Sequence, residues 1–270
     1  MNPIKIINKF IKIMNYENDY QVFGVIFYGS YANGLNNKWS DLDLHILTKR
    51  NEHIQGRMVV DGIEIEYYER PYDDILNMLE NDLKKNSTVI VSMLGYGNII
   101  LDKDGSIAKL QKQIIEKYLS YVPFKLSEEK AQAEAFSVLI SMERLEHFAI
   151  DKDPYFNEFY YLTLDKIRRF YQDYRGFSSD ISTSKVYKFY TIPKYSMNKF
   201  KILPETKFIE LYNLAVINNE DFLNKFESIN NLFKYSIKDF SFNLQNVRLK
   251  IKWQKGWICT PCQKMNIEYQ

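Results

Sequence analysis

The sequence predicts an α+β fold, in which a region containing all the predicted strands precedes an all-helical C-terminal domain. A continuous apolar run at 22–28 and a strictly alternating segment at 41–47 are typical of strands. From residue 127 onward, apolar residues recur instead at intervals of three and four, which is typical of helices. We therefore expect two domains, residues 1–122 and residues 123–270.

The N-terminal region is predicted to begin with a helix and to continue with strands. Apolar residues at helical spacing over 3–15 predict an amphipathic helix. The run VFGVIFY at 22–28 leads into Gly-Ser and predicts a buried strand. The segment DLDLHIL at 41–47 predicts a strand with acidic residues on one face. Further predicted elements are a hairpin around Asp61-Gly62, a helix at 72–85, a short apolar segment at 88–94 and a strand at 97–101.

The C-terminal region is predicted to consist of helices joined by loops, without strand hairpins. Ser127 is a typical N-cap residue, and the two glutamates after it suit the positive end of a helix. Residues 177–203 are rich in Ser, Lys and Tyr and predict a loop with short helical pieces. The predicted helices are 127–149, 153–174, 205–217 and 220–235.

The balance of charges argues against a nucleic-acid partner. The chain has 36 basic and 34 acidic residues, for a net charge of +2, whereas nucleic-acid binders usually carry a basic face. No secretory signal and no apolar stretch of membrane-spanning length is found. Cys259 and Cys262 are the two cysteines. One such pair supplies only two metal ligands, and we interpret it as structural or incidental. We therefore expect a cytoplasmic protein without a membrane partner.

Acidic residues on neighbouring predicted strands form the candidate catalytic and metal-binding site. Asp41 and Asp43 project from the same strand face. A third carboxylate comes from Glu64 or Glu66 in the hairpin, and alternation cannot choose between them because both lie on one face. Carboxylate oxygens are the ligands that hard divalent cations prefer. Two such ions can stabilise the attacking and the leaving oxygen in phosphoryl or nucleotidyl transfer.

Gly29 and Ser30 are the candidate nucleotide-binding residues. They follow directly after the buried strand at 22–28. A glycine lets backbone N–H groups and the serine hydroxyl approach triphosphate oxygens closely. A short helix beginning there would add its positive N-terminal end.

The segment YGSYANGLNNKWSDLDLHIL resembles the signature of the DNA polymerase beta-like nucleotidyltransferase superfamily, and is especially similar to the bacterial aminoglycoside- and lincosamide-type antibiotic nucleotidyltransferases. The resemblance implies a mixed sheet flanked by helices, followed by a helical substrate-binding domain. It implies that Gly29 and Ser30 hold the triphosphate while Asp41 and Asp43 bind Mg²⁺. Members of the superfamily tend to show an apolar–x–apolar–acid–apolar pattern at the third acid, which favours Glu66 over Glu64.

By this resemblance, the expected function is transfer of an NMP, with AMP from ATP the first expectation, to a hydroxyl of a small molecule such as an antibiotic, with release of pyrophosphate. Two Mg²⁺ ions are the expected cofactors, and some relatives build the site between the subunits of a homodimer. Two alternatives stay open. One is a protein-AMPylating, antitoxin-like enzyme, although such relatives tend to be much shorter. The other is a non-catalytic module that senses nucleotide.

Several further residues are candidates for roles in the same reaction. Glu134 or Glu143 on the helix at 127–149 could supply a general base. His45 shares the face of the two aspartates, and we interpret it as a packed and hydrogen-bonded residue. The basic residues of the second C-terminal helix could contact a triphosphate, but we interpret them as a solvated face; they are Lys166, Arg168 and Arg169.

Overall fold

A five-stranded sheet organises the N-terminal part of the chain. The structure is a computed structural model that describes residues 2–177 and 204–240, together with the backbone of 250–252 and 266–268. The strands of the sheet are β1 (Val22–Tyr28), β2 (Leu42–Thr48), β3 (Ile54–Val60), β4 (Ile63–Pro71) and β5 (Asn98–Asp102).

The sheet is mixed, which confirms the predicted α+β fold class. Its strand order is β3-β4-β2-β1-β5. The strands β2 and β4 are parallel, whereas β1 is antiparallel to both of its neighbours. The strands β3 and β4 form the predicted hairpin. Its turn residues, Asp61 and Gly62, have φ angles of 51° and 80°, as the two central residues of a tight hairpin turn require.

Helices cover both faces of this sheet. The helix α1 (Pro3–Ile13) buries Ile7 and Phe10 against one face, in a core shared with apolar residues of β1, β2 and β4. The helices α3 (Ile75–Leu83) and α4 (Ser106–Ser120) cover the other face. Shorter helical elements are α2 (Gly29–Ala32), a 3₁₀ turn at Tyr72–Asp74 and a π-helical turn at Val91–Gly95.

The helix α4 was not predicted from the sequence. It buries Ile107, Leu110, Ile114 and Tyr118, a spacing that is readable as helical. Its start carries no side-chain cap from the residue before it, Gly105. Instead, the carboxylate of Asp102 accepts hydrogen bonds from backbone amides in the first turn of the helix.

The C-terminal part is helical, as predicted. The helix α5 (Glu128–Ile150) packs against α6 (Phe156–Arg175), and α7 (Thr206–Ile217) packs against α8 (Phe222–Ser236). Two three-residue strands, Lys250–Lys252 and Asn266–Glu268, form an antiparallel pair, so the expectation of no strand pairing in this half was wrong. Strands this short are too brief to show an alternating pattern.

The described residues fall into two compact units. Residues 2–124 with 176–177 form the first, and residues 125–175 with 204–240 belong to the second. The predicted division after residue 122 stays a prediction, because compact packing alone does not define independently folding domains. Among the described helices, none is both long and apolar enough to cross a bilayer.

The carboxylate of Glu205 is expected to stabilise the helical unit in a pH-dependent way. It accepts hydrogen bonds from Lys238 and Tyr235 and pairs with Arg175. The hydrogen bond from Lys238, followed by that from Tyr235, lowers the pKa of Glu205 from 4.5 to about 2. A lowered pKa in the folded state stabilises the protein above the unfolded-state pKa, and this contribution is lost as the pH falls from 4.5 toward 2.

We therefore expect Glu205→Gln to lower the free energy of unfolding near pH 7. The loss should be only about 1 kcal/mol, because Glu205 and its partners Arg175 and Lys238 are partly exposed. The difference from the wild type should disappear between pH 4.5 and pH 2 in urea titrations. Glu210→Gln, which removes an exposed partner of Lys207, is the matched control and should show little effect at any pH. An equal loss for Glu205→Gln at pH 7 and pH 2 would contradict this account.

Candidate active site

Three carboxylates meet where β1, β2 and β4 lie side by side. Asp43, the second residue of β2, pairs with Tyr28 of β1 on one side and with Glu66 of β4 on the other. Asp41 immediately precedes β2. One carboxylate oxygen from each of Asp41, Asp43 and Glu66 lies within 4.8 Å of the others, and all three residues are half-buried. We call these three residues the carboxylate trio.

The register of β4 separates the two candidate glutamates. Glu66 stands directly opposite Asp43, whereas Glu64 lies two residues earlier and pairs with Val59 of β3. The exposed carboxylate of Glu64 forms an ion pair with Arg57, with 3.0 Å between Oε1 and Nη1. The structure thus brings Glu66 together with the aspartates and leaves Glu64 outside the trio.

Gly29 makes room for the trio. It follows β1 with a φ angle of +80°, a conformation that glycine adopts far more easily than other residues. A Cβ atom at this position would lie 1.7 Å from Oδ2 of Asp43. The sequence suggested that this glycine allows approach to a triphosphate; the structure adds that it allows approach of the Asp43 side chain. Ser30 follows in the first turn of α2 and is half-buried.

Two residues that were not predicted as site residues contact Glu66. Tyr68 donates a hydrogen bond from its hydroxyl to Oε1 of Glu66 at 3.1 Å. Gln55 donates from Nε2 to the same oxygen at 3.0 Å and to the Tyr68 hydroxyl at 2.9 Å. Burial, and then the hydrogen bond to Glu66, raise the pKa of Tyr68, which keeps its hydroxyl protonated. Counting residues back from the two-residue turn pairs Gln55 with Tyr68 across the hairpin. The sequence could therefore have identified these two side chains as neighbours.

His45 packs beside the trio as a neutral residue. Its side chain is 1% exposed and its ring lies 5.7 Å from that of Tyr28 and 5.8 Å from that of Tyr68, centroid to centroid. Burial, followed by the charge of Arg70, lowers the pKa of His45 to about 3. Within the described part of the chain, neither ring nitrogen has a hydrogen-bond partner. The predicted packing is therefore present, and the predicted hydrogen bond is not.

The basic residues of α6 have partners within the helical unit. Lys166 donates from Nζ to the carbonyl oxygen of Ser137 at 2.8 Å. Arg168 is buried and pairs with Asp165, which also pairs with Arg169 at 2.7 Å. The interpretation of these residues as a solvated basic face was therefore wrong for Lys166 and Arg168. The ion pairs of Asp165 with Arg168 and Arg169 span three and four residues of one helix, a spacing that the sequence shows. Only the tertiary structure brings the carbonyl oxygen of Ser137 to Lys166.

The remaining candidates are not tested by the structure. Glu134 and Glu143 are both exposed on α5, and a general-base role for either stays a prediction. The cysteine pair Cys259 and Cys262 lies outside the described residues.

The trio fits a hard divalent cation. All three groups offer carboxylate oxygens, which Mg²⁺ prefers. Three anionic groups whose oxygens lie within 4.8 Å repel one another unless a positive charge is near. The space that Gly29 leaves beside Asp43 keeps this arrangement free of steric conflict. Asp41, Asp43 and Glu66 are therefore the residues that could hold the metal.

Carboxylates that converge in this way could hold the divalent ions that assist phosphoryl or nucleotidyl transfer. A family model described as a nucleotidyltransferase domain matches residues 7–209, more than half of the chain. The chain therefore belongs to the nucleotidyltransferase domain family.

No curated protein matches the sequence significantly. The chain is similar to the crystal structure of a nucleotidyltransferase-like protein from Exiguobacterium sibiricum, with 10% sequence identity and a TM-score of 0.41, over 88% of this chain and 75% of that one.

Proposed function

We propose that the protein is a Mg²⁺-dependent nucleotidyltransferase that moves an NMP, in the first instance AMP from ATP, to a hydroxyl group of a small molecule. The carboxylate trio carries the proposal, because it lies inside the segment that matches the nucleotidyltransferase family. The acceptor oxygen forms a bond to the α-phosphorus, the bond from that phosphorus to the bridging oxygen breaks, and pyrophosphate leaves. The hydroxyl proton passes to a general base.

The residues of this chain would bind and orient the reactants. Asp41, Asp43 and Glu66 would hold the divalent ions, which when bound neutralise triphosphate charge and lower the pKa of the acceptor hydroxyl. The backbone at Gly29 and the hydroxyl of Ser30 would contact the triphosphate. Such positioning of the phosphorus, together with fixed charges around it, is the largest contribution that a protein makes to this kind of reaction.

Balanced charge supports a small acceptor over a nucleic acid. The net charge of +2 arises from nearly equal numbers of acidic and basic residues, so the protein offers little of the general attraction on which nucleic-acid binding depends. An aminoglycoside- or lincosamide-type antibiotic is the acceptor class that we propose.

Incubation with Mg²⁺ and ATP labelled at the α-phosphate, across a panel of antibiotics and metabolites, tests the proposal. We expect label to move to one acceptor class with release of pyrophosphate. The same assay with the other nucleoside triphosphates measures the preference for the base. Thermal unfolding with Mg-ATP is measured in parallel. Stabilisation by Mg-ATP without turnover on any acceptor would favour a nucleotide sensor, and label on a protein tyrosine would favour the protein-modifying alternative.

A further inference from the structure

We propose that Tyr68 and Gln55 are positioning residues that make Glu66 a one-oxygen ligand of the divalent ion and thereby favour Mg²⁺ over Ca²⁺. The inference rests on the proposed function, since Glu66 must bind a metal. It goes beyond that function because it assigns two more residues, both outside the carboxylate trio, and a metal preference.

The hydrogen bonds to Glu66 all reach the same carboxylate oxygen. Each carboxylate oxygen can accept about two hydrogen bonds, and Oε1 accepts one from Tyr68 and one from Gln55. The guanidinium of Arg57 lies 3.9 Å from that oxygen as well. The contacts of Oε1 therefore leave Oε2 as the oxygen that is available to an ion.

The two donors are held firmly in place. Gln55 also donates to the hydroxyl of Tyr68, so the three side chains form a closed triangle. The ring of Tyr68 stacks on that of His45 with an interplanar angle of 21°, and the guanidinium of Arg70 lies 5.7 Å from its centre. Because both donors come from paired strands, their positions do not depend on a loop.

A carboxylate restricted to one oxygen distinguishes between cations. Mg²⁺ demands a near-ideal octahedral arrangement at short distances, whereas Ca²⁺ accepts more ligands and often binds both oxygens of one carboxylate. With Oε1 engaged by Tyr68 and Gln55, Glu66 can offer the geometry that suits Mg²⁺. Loss of these hydrogen bonds would free Oε1 and admit the two-oxygen contact that suits Ca²⁺.

A purely structural role is the competing explanation. In that case the triangle would only reinforce the β3–β4 hairpin, and its loss would lower stability while the preference among cations stayed unchanged. The ratio of ion affinities therefore separates the two explanations, which activity alone would not do.

The test is ion binding to Tyr68→Phe and Gln55→Leu in the absence of nucleotide and acceptor. Direct Mn²⁺ titration followed by electron paramagnetic resonance gives the affinity for Mn²⁺, and competition gives those for Mg²⁺ and Ca²⁺. We expect Tyr68→Phe to bind Mn²⁺ and Mg²⁺ about tenfold more weakly, with Ca²⁺ affinity changed less than about twofold. Gln55→Leu, at an exposed position, should show the same direction of change without a risk to folding.

Tyr67→Phe is the matched control. Tyr67 is the next residue of β4, and it packs on the opposite face of the sheet against Phe10, with 5.2 Å between ring centroids. Removal of its hydroxyl should leave all three ion affinities unchanged. Circular dichroism of each variant checks that the fold is retained.

The outcomes separate the inference from the proposed function. Unchanged affinity ratios in both Tyr68→Phe and Gln55→Leu, or a wild-type chain that binds no Mn²⁺, would overturn the inference. The variants could shift in ion preference as expected while the wild-type chain transfers no labelled nucleotide to any acceptor. That result would overturn the proposed function alone. A working transferase with unshifted ion preference would overturn the inference alone.

Discussion

An Asp43→Asn variant is expected to lose nucleotidyl transfer by about 1,000-fold, because the central carboxylate of the trio is replaced by a neutral amide. Asp43 lies between Tyr28 of β1 and Glu66 of β4 and contributes one of the three converging oxygens. Asparagine has nearly the same shape, so the loss reports charge rather than packing. Asp41→Asn should show a loss of similar size.

Stability should move in the opposite direction from activity. Removal of one of three crowded negative charges relieves repulsion, and we expect the metal-free Asp43→Asn protein to be more stable by about 1 kcal/mol. Mg²⁺ should stabilise the wild type and have little effect on the variant. Thermal unfolding with and without Mg²⁺, beside transfer of label from ATP, measures both effects.

Glu64→Gln is the control for the loss of a carboxylate as such. Glu64 lies on the same strand as Glu66, pairs with Arg57 and is outside the trio, so its replacement should leave transfer within about twofold of the wild type. Transfer by Asp43→Asn within tenfold of the wild-type rate would exclude the trio as the catalytic metal site.

The second large effect is expected for Gly29→Ala. The added methyl group would lie 1.7 Å from Oδ2 of Asp43, so either the carboxylate or the turn must move. We expect transfer to fall by about 100-fold, since a misplacement of about 1 Å costs on that order. The positive φ angle of Gly29 adds about 1 kcal/mol of destabilisation. Steady-state transfer and urea unfolding measure the two effects separately.

Gly105→Ala isolates the contribution of backbone strain. Gly105 has a φ angle of +79°, and a Cβ atom there would meet nothing within 4 Å. Gly105→Ala should therefore lose about as much stability from backbone strain as Gly29→Ala does. Its nucleotidyl transfer should stay at the wild-type rate. If Gly29→Ala also kept full activity, the close approach of Asp43 to the turn would be irrelevant to function.

Most of the elements around the site could be predicted from the sequence, because each leaves a local signal. The buried strand β1 is a continuous apolar run, and polar and apolar residues alternate over 41–46 at the start of β2. The Asp61-Gly62 pair predicts the hairpin, since both residues tolerate the positive φ angles of a two-residue turn. These signals place Gly29 at the end of β1 and the two aspartates at the start of β2, and the antiparallel pairing of the two strands then brings them together.

The third acid and its neighbours depend on pairing between strands that are distant in the sequence. A period of two cannot distinguish Glu64 from Glu66, because a shift of two residues leaves every side chain on the same face. Only the parallel register of β4 against β2 sets Glu66 opposite Asp43. The interpretation of Lys166 was wrong for a related reason, since its partner is a carbonyl oxygen of another helix.

The tight turn at Asp61-Gly62 fixes the register in which β3 pairs with β4. Pairing with β2 holds β4 in place, so one residue inserted in the turn would slide β3 alone. Since neighbouring positions of a strand point to opposite sides, Gln55 would then swing away from Glu66 while the carboxylates stayed together. A change in the length of this turn would therefore alter the preference between Mg²⁺ and Ca²⁺ without any substitution of Asp41, Asp43 or Glu66.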